Sequence, residues 1–245
     1  MPPRKLGLLA VLVLVQCNAG SPSSFWRGIH GVIDVTRSPY KADATGARDA
    51  TAALQAAIND ASASGAVVFL PLGVYRVTDT LNISEHDRAH GVVIEGQLPR
   101  GSSRQRPTLW VPSSTPGFTV EEQPRYVVFF FLYDEKLKRA MPNMNFNQVI
   151  RGVDVHIEPG NRGAIAIRHR AAQLAMIEDV TVWLAPDSYV GIEGLPGAGG
   201  SSSNVAVYGG RYGIDARVTQ PTSLLTGVRL HSMLPRIELT PLARP

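Results

Sequence analysis

The sequence predicts an all-β fold, a parallel β-helix closed near its start by one capping α-helix. Three observations predict it. Short strand-like runs recur in the second half at spacings of 27, 25 and 23 residues, and only one stretch carries helical periodicity. Among 245 residues there are 23 Gly and 18 Pro but just 7% aromatics, a composition of many turns that speaks against an all-helical chain. With 44% hydrophobic and 18% charged residues, one domain can bury a core of its own.

The first element is a leader. Arg4 and Lys5 precede an apolar run from Leu6 to Val15, and small Cys17 and Ala19 stand three and one residues before a cut after Ala19. This is the pattern of a secretory signal peptide over residues 1–19. The apolar run covers half of the roughly 20 residues needed to cross a bilayer, and the bulky Gln16 before Cys17 argues against a lipid anchor. Cleavage would remove the only cysteine, so a secreted, extracellular chain without disulfides is expected. It would also leave 22 basic against 20 acidic residues. No basic run elsewhere points to nucleic acid, and no membrane partner is expected once the leader is gone. Asn82-Ile83-Ser84 is a glycosylation sequon, usable at Asn82 in a eukaryotic secretory pathway.

Residues 20–48 form a loop-rich lead with one apolar run, Val32 to Val35. A capping helix follows over 49–64: Asp49 offers a cap, Ala53, Leu54, Ala57, Ile58 and Ala61 recur at helical spacing, and Gly65 ends the run. Strands are then expected at Val67–Leu70, Val74–Val77, Val92–Glu95, Leu109–Val111 and Val127–Tyr133. Tyr75 and Arg76 are assigned to the scaffold.

The repeat lies in "GVDVHI" at 152, "DVTVWL" at 179, "NVAVYG" at 204 and "GVRLHS" at 227. A second series runs "AIAIRH" at 164, "YVGIEG" at 189, "RYGIDA" at 211 and "PRIEL" at 235, with Ile165, Ile192, Ile214 and Ile237 as anchors, its register free to slip by two. Strands recurring in phase suit a solenoid whose coils stack on one another. Leucine-rich repeats would need a Leu and Asn skeleton that is missing, and the strands of a β-sandwich need not recur in phase. The β-helix is expected over 49–240, leaving a short tail at 241–245 with no capping helix. The pattern is also that of a front part of a longer product.

Alternation turns the repeats into two outward rows. The first is His156, Trp183, Tyr208 and His231. Parallel strands lie about 4.8 Å apart, so these rings form a ribbon on which the apolar faces of sugars can stack, a substrate-binding strip. The second row is Arg168, Glu193, Asp215 and Glu238. Glycoside hydrolysis needs two carboxyl groups about 5 to 9.5 Å apart, which makes Glu193 and Asp215 the catalytic candidates. Like charges that close are expected to raise one of the two pKa values. The same oxygens could hold calcium; otherwise no cofactor or metal is expected. Solvated surface charge is the plainer reading of this row.

Other motifs fall away. In "GLPGAGGSSS", residues 194–203, Gly200 stands where a phosphate-binding loop needs lysine. No His and Cys cluster supports zinc, and no Gly-x-Ser-x-Gly elbow appears.

The run "DATAALQAAINDASASGAVVFLPLGVYRVTDTLNIS" resembles the N-terminal module of the pectate lyase superfamily of right-handed parallel β-helices, which pairs a "D-D-T-A-A-I-Q-A-A-I" helix with a "G-G-V-V-Y-L-P-P-G-T-Y" strand pair. The region from "NFNQVIRGVDVHI" to "YGGRYGIDA" resembles more narrowly the first β-helix of glycoside hydrolase family 55, the β-1,3-glucanases. Ala42 and Ala44 stand where glycines are common, and Ala50 replaces the second acidic residue. Members of the glucanase family are far longer and join two β-helices, with the catalytic acid in the later part, so no position here inherits that role. The resemblance implies a carbohydrate-active protein whose partner is a cell-wall polysaccharide, β-1,3-glucan-like. The first rival is a pectate or uronate lyase, which uses a basic residue to abstract a proton, often with calcium, and for which Arg211, Arg217 and Arg229 are available. A second rival is a non-catalytic glycan-binding or structural module.

Overall fold

Each of the four repeats opens on a residue whose backbone lies in the left-handed region: Gly152 at φ 65°, Asp179 at 53°, Asn204 at 50° and Gly227 at 62°. Glycine reaches this conformation freely, and Asp and Asn tolerate it better than other side chains do. The chain therefore turns a sharp corner at the same point of every coil. Asn204 donates through Nδ2 to Oδ1 of Asp179, tying one corner to the next.

A computed structural model describes residues 31–83, 91–99, 104–134, 136–141, 145–218, 223–232 and 234–238. The expected leader, tail and Ser84 of the sequon lie outside these residues. Three parallel faces surround one core. Before the corner, Val32–Asp34, Val67–Leu70, Val93–Gly96, Val149–Arg151, the first halves of Met176–Leu184 and Ser201–Tyr208, and Leu224–Thr226 stack as a first face. After it, Thr45–Asp49, Val74–Arg76, Thr108–Val111, Asp154–Ile157, the second halves of the two long strands and Arg229–His231 form a second. Leu81–Asn82, Arg125–Phe130, Ala164–His169, Val190–Glu193, Tyr212–Asp215 and Leu234–Glu238 form the third. The predicted parallel β-helix is the observed fold.

Stacking like on like builds the interior. Val155, Val182 and Val207 pair strand to strand on the second face, and Ile167, Ile192 and Ile214 on the third; all six are fully buried. Each such side chain contributes about 1.5–3 kcal/mol by leaving water. Ile165 pairs with Val190 instead, so the third-face anchor is Ile167, two residues on. The outward row beside it keeps the expected register, Arg168 with Glu193 and Glu193 with Asp215.

The helix, α1 (Thr51–Ser64), buries Leu54, Ala57, Ile58 and Ala61 and stops at Gly65, whose left-handed backbone donates to the carbonyl of Ala61. Its cap position is held by Ala50, with no side-chain cap bond. Asp49 ends a strand and accepts from the backbone N–H and hydroxyl of Thr51 and from the hydroxyl of Thr78. Gln55 gives the helix its sealing role. Its amide both donates to the carbonyl of Asn82 and accepts from the N–H of Asn82, each at 2.8 Å, and so replaces a neighbouring strand at that edge of the third face.

Two expectations change. The loop-rich lead contributes strands Val32–Asp34 and Thr45–Asp49 to the solenoid. The run expected as one strand to Tyr133 ends at Phe130, and Tyr133–Asp134 pairs with Arg139–Ala140 as an antiparallel hairpin inserted in the coil. No helix among the described residues is long and apolar enough to cross a membrane.

Candidate functional site

On the second face every other residue points outward, and the register aligns those residues across strands. Trp110 is opposite His156, His156 opposite Trp183, Trp183 opposite Tyr208, and Tyr208 opposite His231. The rings lie flat on one another where they touch: Trp183 and Tyr208 are 4.3 Å apart at 12°, Tyr208 and His231 5.1 Å apart at 6°. Trp183 remains 46% exposed. The four residues expected from the sequence form one strip, and Trp110 extends it. Glu158 serves the upper end, 3.4 Å from the indole nitrogen of Trp110, which donates to it, and 3.9 Å from His156.

Trp110 escaped the sequence reading because 46 residues separate it from His156, in place of 23 to 27. The hairpin insertion lies in that interval. The local signal was present, since "TLWV" at 108 alternates as "DVHI" at 154 does.

Beside the rings runs a groove of ≈490 Å³. It exists because the column next to Trp183 and Tyr208 is filled by the small side chains of Thr181 and Ala206. Asp154, Arg106 and Arg229 also line it. Asp154 accepts from the backbone N–H of Thr181 at 3.0 Å and lies 3.5 Å from Arg106. Burial raises its pKa, against the lowering effect of that N–H and of Arg106.

The carboxylate pair lies elsewhere. Glu193 and Asp215 are register neighbours on the third face, and neither lines the groove. The strip and the pair therefore do not make one site. Each carboxylate is held by its own guanidinium: Glu193 pairs with Arg168, whose side chain is 11% exposed, and Asp215 accepts from Arg217 through the backbone N–H at 3.1 Å and Nε at 2.9 Å. Burial pushes the Asp215 carboxyl up, but the bonds from Arg217 outweigh it and leave the pKa below its ordinary value. The expected like-charge rise is not found at Asp215, because the intervening arginines neutralise the row. The backbone of Glu238 continues the register opposite Asp215.

Above this row the third face carries a second set of rings that the sequence reading missed. Tyr126 stacks on Phe129 at 4.7 Å, Phe129 on Phe131 at 5.1 Å, and Phe131 lies 6.4 Å from Tyr133. The guanidinium of Arg168 sits over Tyr126 and Phe131 and donates to the Tyr126 hydroxyl at 3.0 Å. Burial and the Glu193 charge push that phenol up to about 12. Among the arginines raised for lyase chemistry, Arg217 is committed to Asp215, Arg211 is paired with Glu121, and Arg229 lines the groove. Among the described residues no group of three or more His, Cys, Asp or Glu is placed to hold a metal ion.

Comparison with known proteins follows the architecture. The family model described as rhamnogalacturonase A/epimerase, pectate lyase-like, matches residues 33–224. A search of curated proteins found no match. Among solved structures, the chain is similar to PfbA, a surface adhesin of Streptococcus pneumoniae, with 19% identity and a TM-score of 0.41 over 84% of this chain and 40% of that one. It is also similar to the Agl-KA catalytic domain, with 14% identity and a TM-score of 0.31 over 82% and 48%. The chain thus spans less than half the length of both. Since the family model covers most of the chain, from the first strand to the start of Leu224–Thr226, the chain belongs to the rhamnogalacturonase A/epimerase, pectate lyase-like family.

Proposed function

We propose that this chain is a carbohydrate-active β-helix that docks a cell-wall polysaccharide along the second face. One observation carries the reading: five rings, Trp110, His156, Trp183, Tyr208 and His231, occupy consecutive in-register strands as a partly exposed ribbon, flat from Trp183 through Tyr208 to His231. Coil spacing is set by backbone hydrogen bonds at about 4.8 Å, so the ribbon is preorganised and little side-chain freedom is lost when a polymer lies on it. Every sugar has an apolar ring face, so the ribbon suits both a β-1,3-glucan, which the glucanase resemblance implies, and a uronate polymer, which the family description suggests. The leader expected at residues 1–19 would deliver the protein to the outside of the cell, where such polymers lie.

A hydrolytic version of this reading keeps Glu193 and Asp215 as the carboxyl pair and gives Asp215 the ionised role, consistent with its lowered pKa; Glu193 would have to leave Arg168 before it could donate a proton. It requires the polymer to reach the third face. Reducing sugar released from laminarin, and lost in Asp215→Asn while its melting curve stays cooperative, is its test; an unsaturated, ultraviolet-absorbing product from polygalacturonate would instead indicate a lyase. Docking itself is tested by affinity electrophoresis through laminarin and polygalacturonate. Retardation that Trp183→Ala abolishes supports the reading, and free migration in both polymers rejects it.

A further inference from the structure

We propose that Asn82 carries an N-linked glycan, and that the ring column of the third face, Tyr126, Phe129, Phe131 and Tyr133, is the wall against which its first sugar packs. The proposal takes the leader expected at residues 1–19 as the route to a glycosylating compartment, and it is independent of docking on the second face.

Asn82-Ile83-Ser84 is the only Asn-x-Ser/Thr triplet in the whole sequence. The fold puts its asparagine at the surface. Leu81 and Ile83 are buried at 2% and 3% exposure, so alternation turns Asn82 outward, where it is exposed. Its backbone is held from both sides, by the amide of Gln55 in α1 and by pairing with Phe129. A sugar attached before folding therefore stays outside when the coil closes, on a fixed stretch of chain. In the transfer itself, Nδ2 of Asn82 forms a bond to the anomeric carbon of an oligosaccharide carried on a lipid diphosphate. The bond from that carbon to the diphosphate breaks, the diphosphate leaves with the electron pair, and the amide gives up one proton. Nothing is oxidised or reduced.

The neighbouring strand decides where that sugar goes. Asn82 is the register partner of Phe129, about 4.8 Å away across the sheet. Phe129 is the middle of the column, stacked with Tyr126 at 4.7 Å and with Phe131 at 5.1 Å, and Tyr133 follows. All four residues stay partly exposed. The flank of the column toward Ala164–His169 is taken: Arg168, opposite Phe129, lays its guanidinium over Tyr126 and Phe131. The other flank is the two-residue strand Leu81–Asn82, and its one outward side chain is Asn82. Stacking within the column uses the ring faces, so the column offers a neighbour its edges. Aromatic edges are apolar and carry partial positive charge, which suits both the C–H groups of a sugar and its oxygens. The covalent tether holds the sugar at high effective concentration beside this wall, so a contact too weak to capture a free sugar is populated.

The test expresses the full chain with its own leader in mammalian cells that make only high-mannose glycans. The secreted protein should carry one glycan by mass, lost in Asn82→Gln. It should melt about 2–4 °C above that variant, the shift that the worth of one aromatic contact makes in a domain of this size. Trimming with an endoglycosidase that leaves the first sugar in place should keep the gain, and Phe129→Ala should abolish it. In the unsubstituted glycoprotein, nuclear Overhauser contacts should join protons of the first sugar to the ring of Phe129 or Phe131, a readout that needs no variant to fold. A chain without a glycan at Asn82, secreted or retained, overturns the proposal. So does a glycan that makes no ring contact, or a gain in melting temperature that survives Phe129→Ala. Rings that contact a second copy of the chain, or added laminarihexaose, in place of the attached sugar overturn it equally.

Discussion

Trp183 and Tyr208 stack 4.3 Å apart at 12° on strands hydrogen-bonded in register, and Trp183 still exposes 46% of its surface. A ring held flat from one side and open on the other is poised to take a partner. Trp183→Ala is expected to weaken polysaccharide binding about tenfold or more, the size of effect that a central aromatic contact carries. Stability should fall by only about 1 kcal/mol, the worth of an aromatic pair, because the ring is not part of the interior. Parallel binding and thermal-melt measurements check the two halves.

The corner residues predict an order of tolerance. Asn204→Gly should cost no more than about 1 kcal/mol, the worth of the bond to Asp179 that it also removes, since glycine adopts φ near 50° at no steric cost. Asn204→Val should cost about 1–2 kcal/mol or more, because a β-branched side chain is disfavoured there and the bond to Asp179 is lost. Urea denaturation of the two variants, compared at equal slope, gives the answer.

The third face predicts a strong dependence on Glu193. Glu193→Gln leaves the guanidinium of Arg168, 11% exposed, without its counter-charge, and breaking a largely buried pair from one side costs about 3–5 kcal/mol. The double variant Glu193→Gln/Arg168→Met should recover much of that loss. Equilibrium unfolding of the single and double variants tests the coupling.

Acid sensitivity has two sources with separate windows. His169 is fully buried against Phe130, 4.6 Å between ring centres, with Nε2 3.2 Å from the carbonyl of Gln148 and Nδ1 unpartnered. Burial lowers its pKa to about 3. Below its ordinary value near 6.5 the unfolded chain binds a proton that the folded chain refuses, so stability falls as pH drops from about 6.5 toward 3, by about 1.4 kcal/mol per unit. Asp215 acts lower: its depressed pKa stabilises the fold above the ordinary value of 3.8, and that contribution is lost as pH falls through the folded value. Melting temperatures from pH 7 to 3 should flatten between 6.5 and 4 in His169→Leu, with only the lower limb changed in Asp215→Asn.

The solenoid was legible because alternating apolar runs recur in phase, 27, 25 and 23 residues apart, and the structure adds that the corners are marked by residue type. Gly152, Asp179, Asn204 and Gly227 are all residues that accept a left-handed backbone, and they begin the four repeats. The strip followed by alternation alone, so His156, Trp183, Tyr208 and His231 could be placed in one row. Trp110 could not, since an inserted hairpin breaks the period before His156. Neither could the fate of Glu193 and Asp215. Their register was readable, but the guanidinium groups that hold them depend on how Arg168 and Arg217 bend over the surface, which spacing does not encode. The groove was missed for a related reason: it is defined by what Thr181 and Ala206 leave empty.

Of the three tryptophans in the sequence, Trp110 and Trp183 lie on the strip and Trp26 lies outside the described residues. The most direct measurement is therefore an NMR titration that follows the indole N–H signals with laminarihexaose and hexagalacturonate. Saturable shifts of the Trp110 and Trp183 signals with at least one sugar are the predicted result. Sugar binding that leaves both strip signals in place, or no shift with either oligosaccharide, would contradict the assignment of the second face as the polysaccharide dock.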